Sequence, residues 1–384
     1  MLTLKETFKL YDRYHKLVPG ASTASKCATR FPLGAYPIFL ESGDGVTVQD
    51  VDGNGYMDFI NGLGPIILGY NNRDINKAIE NQLKKGILFS LPTKLEIEVA
   101  EQIQKMVPCA ESVKFTKEGS SADAAAFRLA RAYTRRNKIA YCTSSYHGWS
   151  DTFASSQPIH NGIPDALSEM MIPFNYNDIK SLHTAFESNK NEIGLVILEP
   201  VVLEEPYDNF LSETKKIAHK NGAILAFDEI VSGFRWGPGG AQEYYNVTPD
   251  IAMIGKSMGN GMPINALVGR EDIMSLFDMT HSKTPVFLSG TFMGETLSLA
   301  AALKTMSIIE EEKTTDHIWT IGKHLKTEFN NLSKEADVKI KLDGLGPRMV
   351  FTYPDVQTKS IFLQETAKRG ILFGNIVYPT IPRS

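Results

Sequence analysis

The stretches "AILAFDEI" (223–230) and "MIGKSMGNGMP" (253–263) each begin with an apolar run. The first run is followed by the charged residue Asp228, and the second by Lys256. Short runs that are apolar on both faces, with helical patterns between them, are typical of parallel strands covered on both sides. Similar runs occupy residues 112–116, 138–142 and 193–200. The sequence therefore predicts an α/β doubly wound domain, whose site lies at the carboxyl ends of the strands.

The chain is longer than one ordinary domain, since it has 384 residues. Residues 38–60 alternate in polarity between the turn signals "SGDG" and "VDGNG", which predicts a small antiparallel meander. We expect an N-terminal segment over 1–63 with a helix and this meander. A large domain over 64–294 and a small C-terminal domain over 295–384 follow, and the N-terminal segment and the C-terminal part together build the smaller α/β unit.

Composition excludes several classes of partner. The formal net charge is −4, from 40 basic and 44 acidic residues that are mixed along the chain, so no footprint for nucleic acid or an anionic membrane is present. Cys27, Cys109 and Cys142 are odd in number and lack CxxC spacing, which supports neither a disulfide framework nor a metal site. The first residues lack the apolar region of a signal peptide, and we expect a cytoplasmic protein.

The "GKS" at residues 255–257 has two readings, of which the first is a phosphate-binding loop. Such a loop needs glycine five positions before the Gly-Lys pair, but Asp250 stands there. The acidic strand end at Asp228 also precedes the glycine-rich turn, which reverses the usual order. The sequence therefore disfavours a nucleotide site.

The second reading makes Lys256 a reactive amine. Burial at a strand end disfavours the ammonium form of a lysine, and a neutral amine can attack an aldehyde. Asp228, on a neighbouring predicted strand, would keep the ring nitrogen of pyridoxal 5′-phosphate (PLP) protonated, and the protonated ring is an electron sink. A structural ion pair between Lys256 and Asp228 is the alternative.

Three further stretches contain candidate cofactor contacts. Gly119, Ser120 and Ser121 open an alanine-rich helix, where unpaired N–H groups and the helix dipole favour a phosphate, although serine also caps helices. In "SYHGW", Tyr146 and His147 follow a strand, where an aromatic ring could stack on the cofactor or pack in the core. The stretch "SGTF" offers the hydroxyl of Thr291 for a phosphate, or a simple turn residue.

Together these motifs resemble the class III PLP-dependent aminotransferases of fold type I, in particular the glutamate-1-semialdehyde 2,1-aminomutase branch. The resemblance covers residues 18–372 and rests on "PGASTASK", "DVDGNGYMDFINGLGPIILGY", "YHGW", "FDEIVSGFR", "GGAQEYYNVTPDIAMIGKSMGNGMPINALVG" and "SGTF". It implies a large, mostly parallel sheet domain with a smaller α/β domain.

The resemblance also implies residue roles. Lys256 would form the aldimine with PLP, and Asp228 would pair with the pyridine nitrogen. Cofactor contacts would further come from the phosphate-binding residues Gly119, Ser120 and Ser121, from Tyr146 stacking on the ring, from His147, and from Glu199 near the site. In a homodimer, Thr291 would reach the cofactor phosphate of the neighbouring subunit.

Two departures from the family pattern bear on cofactor and substrate. The phosphate loop reads "KEGSSA", with Glu118 where the family has a hydroxyl or an amide. The N-terminal "STASKCATRF" offers Lys26 and Arg30 where the aminomutase has a carboxylate-gripping arginine, and lysine lacks the bidentate fork of arginine. We expect Lys26, Trp149 and Glu204, with Trp236 nearby, to influence substrate choice.

The predicted reaction is amino transfer from an amino-acid donor, glutamate, to a small aldehyde or ketone. The "TASK" and "RFPLGAYP" stretches resemble aminomutase-like aminotransferases of surface-carbohydrate or secondary pathways. One alternative is intramolecular transfer of the aminomutase type, in which one substrate both gives and receives nitrogen. The other is a PLP-binding protein without catalysis.

Overall fold

Apolar runs form the strands at the centre of the protein, and polar residues at their ends form the candidate site. The computed structural model describes residues 2–26, 30–32 and 34–381. Cys27 lies outside these residues, whereas Cys109 and Cys142 are buried free thiols. Among the described residues, no helix is long and apolar enough to cross a membrane.

Helices and strands alternate through the middle of the chain. The α-helices are α1 (Lys5–Leu17), α2 (Arg73–Leu83), α3 (Lys94–Met106), α4 (Gly119–Thr134), α5 (Asp151–Ala154), α6 (Asp165–Ser168), α7 (Ile179–Ser188), α8 (Phe210–Lys220), α9 (Ala241–Tyr244), α10 (Glu271–Met274), α11 (Thr296–Glu311), α12 (Thr314–Glu335) and α13 (Val356–Lys368). The strands are β1 (Leu40–Asp44), β2 (Thr47–Asp50), β3 (Gly55–Asp58), β4 (Ser112–Thr116), β5 (Lys138–Cys142), β6 (Met171–Phe174), β7 (Ile193–Leu198), β8 (Ile224–Glu229), β9 (Ile251–Ile254), β10 (Asn265–Gly269), β11 (Lys341–Leu345), β12 (Arg348–Thr352), β13 (Ile371–Leu372) and β14 (Ile376–Val377).

The largest sheet has seven strands in the order β4-β10-β9-β8-β7-β5-β6. Strand β10 runs antiparallel to both of its neighbours, β4 and β9, whereas β9, β8, β7, β5 and β6 are parallel to one another. Strands β7, β8, β9 and β10 are buried along their whole length, as expected for a sheet covered on both faces. The predicted α/β architecture with a large, mostly parallel sheet is confirmed.

Helix α4 packs on this sheet through small side chains. Its buried residues include Ala122, Ala125, Ala126 and Ala130, which join the hydrophobic core formed with β7 to β10. Strand β4, which precedes α4, is antiparallel to β10 and therefore points in the same direction as β9. The chain thus leaves β4 at the edge where β8 and β9 also end, and α4 begins there.

The smaller unit combines both ends of the chain. Strands β1, β2 and β3 form the predicted antiparallel meander, and β13 adds to it in parallel with Ile371 opposite Met57. Strands β11, β12 and β14 form a separate three-stranded sheet. The C-terminal part therefore pairs with the N-terminal segment, as the resemblance implied.

The chain divides into two compact units, one of Met1–Arg73 with His317–Ser384 and one of Asp74–Asp316. These limits differ from the expected domains, whose boundaries followed residues 63 and 294. Tyr70 exchanges two backbone hydrogen bonds with Gly45 of the meander, which ties the segment after residue 63 to the smaller unit. Thr296 donates its hydroxyl to the Gly86 carbonyl at 2.8 Å, and α11 packs against α3 in the larger unit.

Candidate active site

Three neighbouring parallel strands end in ionisable residues at one edge of the sheet. Glu199 follows β7, Asp228 lies near the end of β8, and Lys256 follows β9. In the sheet register Asp228 lies opposite Met253, three residues before Lys256. The parallel pairing therefore brings together the residues that the sequence singled out on separate strands, because the carboxyl ends of parallel strands meet at one edge.

Asp228 is buried and takes part in two hydrogen bonds. Its Oδ2 lies 2.7 Å from Nδ1 of His147, and its Oδ1 accepts the N–H of Ile230 at 3.1 Å. His147 is fully buried, and its ring meets the edge of Phe153 at 5.0 Å. We assign the ring hydrogen of His147 to Nδ1, because an ionised carboxylate can accept hydrogen bonds but cannot donate them. Both donors point at the carboxylate and fix its orientation.

Lys256 is held in a backbone conformation that side chains rarely adopt. It has φ 38°, and it opens a short 3₁₀ turn over Lys256–Gly259. The preceding Gly255 lies so close to Asn265 that a Cβ there would be 1.7 Å from Oδ1 of Asn265. Asn265 in turn donates Nδ2 to the Lys117 carbonyl at 3.1 Å. Backbone strain of this kind concentrates at functional sites. The contacts around Gly255 and Asn265 fix the position of the Lys256 backbone.

The start of α4 lies against the loop that follows β5. Gly148 has φ 84°, and a Cβ on it would be 2.7 Å from Cα of Ser120. The N–H of Trp149 donates to Oγ of Ser120 at 3.2 Å. The first N–H groups of a helix have no acceptor within the helix, so Gly119–Ser121 form an electropositive backbone edge.

Glu118 precedes that edge and is exposed. Its carboxylate accepts a hydrogen bond from the hydroxyl of Ser121 at 3.4 Å. The charge that departs from the family pattern therefore lies on the solvent side of the helix start, where salt screens it.

Tyr146 and Glu199 are joined through the backbone. The N–H of Tyr146 donates to Oε1 of Glu199 at 3.1 Å, and the N–H of Glu199 donates to Oγ of Ser145 at 2.9 Å. Glu199 is buried, whereas Tyr146 is 62% exposed and its ring meets that of Phe153 edge to face. The carboxylate thus holds the loop backbone in place while the Tyr146 side chain remains largely exposed.

Sequence reasoning missed Asp123, which lies on the buried face of α4. Ligand atoms of Asp123, His147 and Asp228 lie within 4.8 Å of one another. The hydrogen bond between His147 and Asp228 uses one atom of each, so we interpret the cluster as a hydrogen-bonded network rather than a metal site. A charged residue within the run "SSADAAAF" was the available signal, but its neighbours are distant in sequence.

The other predicted residues are placed as follows. Thr291 is exposed in the turn before α11, and Glu204 is exposed in the segment after β7. Trp149 is mostly exposed beside Ser120, whereas Trp236 is buried. Lys26 belongs to the smaller unit, where it lies in the 3₁₀ helix Ala24–Lys26 and is exposed.

Comparison with known proteins identifies the class to which this fold and site belong. The family model described as Aminotransferase class-III matches residues 32–382, and the chain belongs to that family. Members of this class act with PLP, so the protein is a PLP-dependent enzyme of amino transfer.

Named relatives cover most of the chain. A glutamate-1-semialdehyde 2,1-aminomutase of Alkaliphilus oremlandii is 38% identical, over 97% of this chain and 90% of the relative. A 3-aminobutyryl-CoA aminotransferase of Cloacimonas acidaminovorans is 36% identical, over 89% and 82%. Among solved structures, a transaminase with PLP bound superposes with a TM-score of 0.91 at 25% identity, over 100% of this chain and 94% of the other.

Proposed function

We propose that Lys256, Asp228 and the start of α4 hold PLP, and that the enzyme transfers an amino group from an amino acid to a small aldehyde or ketone. One observation supports this most strongly. Three adjacent parallel strands, β7, β8 and β9, bring Glu199, Asp228 and Lys256 to one edge of the sheet, at which α4 also begins. When bound, PLP supplies a protonated ring that takes up the electron pair left when the substrate carbon loses its proton.

The ring end of the cofactor fits Asp228. A pyridinium nitrogen needs an anionic partner, and Asp228 is a buried carboxylate supported by His147 and by the N–H of Ile230. His147 orients this carboxylate, and the amine of Lys256 would bind the aldehyde. The donor set therefore matches a ring nitrogen at one end and an aldehyde at the other.

The phosphate end fits the start of α4. Gly119, Ser120 and Ser121 provide N–H groups and hydroxyls at a helix N-terminus, which favours a phosphate. Gly148 packs directly on Ser120, and a Cβ on Gly148 would press on Ser120 and displace the start of this helix. A phosphate bound at this edge would lie beside the exposed loop that carries Tyr146 and Trp149.

The chain's own residues would then act as follows. The side chain of Tyr146 would stack on the ring, and Glu199 would keep that loop in place. Nζ of Lys256 would take the proton from the substrate carbon and hold it for return. Gly255 packs closely on Asn265, which fixes the backbone from which the Lys256 amine would act.

We also propose a homodimer in which Thr291 reaches the phosphate of the neighbouring subunit. Large apolar side chains are exposed within, or next in sequence to, the segments 92–104 and 288–294, which line a groove together with residues 113–115. They are Ile87, Leu88, Phe89, Leu91, Ile97, Phe287 and Phe292. A patch of this kind marks a protein–protein interface more often than a free surface. Thr291 lies within the groove-lining segment and is itself exposed.

For the substrates, we propose glutamate as donor, with Lys26, Trp149 and Glu204 near the acceptor. The TASK and RFPLGAYP stretches support a role in surface-carbohydrate or secondary metabolism, and the sequence favours the cytoplasm. Aminomutase activity is the second candidate, because a relative that is 38% identical carries that name.

A single-turnover assay separates these functions. The PLP-loaded protein is mixed with glutamate in the absence of any carbonyl acceptor, and 2-oxoglutarate is counted against active sites. We expect one 2-oxoglutarate per site, and none from Lys256→Ala. Turnover of glutamate-1-semialdehyde without an external donor, together with no reaction of glutamate, would instead establish the aminomutase. Stoichiometric PLP that no amino donor converts would refute both proposed reactions.

A further inference from the structure

The Asp123 side chain is buried next to a second carboxylate. It is 2% exposed, and its Oδ1 is a buried atom for which the described part of the chain provides no hydrogen-bond partner. Asp228 and His147 have ligand atoms within 4.8 Å of it. Two buried carboxylates at such a distance do not both ionise readily, so one of them keeps a proton.

The hydrogen bonds of the two carboxyl groups indicate which of them keeps the proton. Asp228 takes part in hydrogen bonds with His147 and Ile230, and both stabilise its anion. For Asp123, burial raises the pKa well above its usual range, Asp228 and Glu199 raise it further, and Lys256 acts in the opposite direction. Tyr146 also faces this group, because the pKa of Tyr146 is raised by burial and would be raised further by an ionised Asp123. Asp123 is therefore the protonated member of the pair.

We propose that Asp123 is a positioning residue of the cofactor site, which stays protonated so that Asp228 alone presents a negative charge to the pyridine nitrogen. This inference rests on the proposed function, because it assumes that the cofactor ring meets Asp228. An ionised Asp123 would add a second charge to the cluster and would repel the phosphate-bearing cofactor. Affinity for PLP should then fall as the pH rises through the pKa of Asp123.

The sign of the effect on stability follows from the same raised pKa. Folding favours the protonated form of Asp123, so its contribution is fully present below the unfolded pKa of about 3.9 and is lost as the pH rises through the folded value. Asp123→Asn is nearly isosteric and carries no charge at any pH. The variant should therefore gain stability relative to the wild type as the pH rises.

The test compares full-length wild type, Asp123→Asn and the control Asp165→Asn, whose aspartate is exposed. Tm is measured from pH 5 upward, with saturating PLP and again without added cofactor. The Tm of Asp123→Asn minus that of the wild type should rise by about 2 to 4 °C per pH unit and then level off. The control should follow the wild type. If Asp123→Asn does not fold, Asp123→Ser replaces it, since it is also neutral.

The Kd of PLP is measured over the same pH range. The ratio of the wild-type Kd to that of Asp123→Asn should rise at least about tenfold across the titration of Asp123, because one pKa unit of coupling corresponds to that factor. A Tm difference that does not change with pH would overturn the protonated state. A constant Kd ratio would overturn the positioning role even if the Tm difference does change. Neither readout depends on which lysine binds PLP, so failure of the Lys256 assignment would be seen separately.

Discussion

Nδ1 of His147 lies 2.7 Å from Oδ2 of Asp228, and both side chains are buried. A second Asp–His pair, between Asp278 and His281, has the same 2.7 Å separation but lies on the surface. The same chemistry thus occurs in two environments of this chain. Of these two pairs, the buried one lies at the carboxyl edge of the sheet, near Lys256. Its interactions with other charges are stronger there, because little water screens them.

We predict that Asp228→Asn lowers kcat/KM by about 10²- to 10³-fold, because it removes a preorganised charge from a buried site. The matched control, Asp278→Asn, should change kcat/KM by less than about twofold, because an exposed pair contributes little. Steady-state kinetics with one donor and one acceptor measure both variants. Equal losses in the two variants would show that the buried pair has no special role.

Gly148→Ala should weaken PLP binding and destabilise the fold. A Cβ there would approach Cα of Ser120 to 2.7 Å and push the start of α4 away. Gly162 has a similar φ of 86°, against 84° at Gly148, but has open space around it, so Gly162→Ala isolates the backbone cost of about 1 kcal/mol. We expect Gly148→Ala to cost about 1–3 kcal/mol more than the control, from denaturant unfolding. If the two variants lose the same unfolding free energy, Gly148 does not support the start of α4 in the way we propose.

Glu118→Gln should tighten PLP binding. The carboxylate of Glu118 lies beside the helix start that would hold the phosphate, and removing its charge relieves repulsion of about 0.3–1 kcal/mol. The Kd should fall about two- to fivefold at low salt and less at high salt. Glu169→Gln, an exposed change at a distant helix end, serves as the control. If the Kd of Glu118→Gln at low salt is equal to or higher than that of the wild type, the phosphate binds elsewhere.

The dimer proposal predicts that Leu91→Glu weakens self-association. Leu91 is 77% exposed in the larger unit, and Val356 of the smaller unit is 75% exposed, which makes Val356→Glu a close match. Loss of one buried leucine contact costs about 1.5–3 kcal/mol, so the dimer dissociation constant should rise at least about tenfold. Sedimentation velocity measures both. A monomeric wild type would refute the dimer, and a dimer equally sensitive to both changes would refute this interface.

Much of the sheet was predictable because its strands are locally distinctive. The runs that end in Asp228 and Lys256 are apolar on both faces, which is typical of strands in a parallel sheet that is covered on both sides. Once parallel pairing is assumed, the meeting of Glu199, Asp228 and Lys256 at one edge follows directly. The meander over residues 38–60 was likewise visible from its turn signals.

Features set by long-range packing were not predictable. Asp123 is one charged residue in an alanine-rich helix, and its importance arises only because β8 and the loop after β5 bring Asp228 and His147 against it. The division of the chain depends on contacts such as Thr296 with Gly86, which no local pattern shows. Side-chain exposure at Thr291 and Trp149 also depends on how their loops fold.

Chemical trapping with a reducing agent tests whether Lys256 is the amine that binds PLP. The holoenzyme is reduced with sodium borohydride, digested, and mapped by mass spectrometry for the phosphopyridoxyl group. We predict that the group is found on Lys256 alone and is absent from the Lys256→Ala variant. Labelling of another lysine in the wild type, or an unchanged label in the variant, would contradict the account.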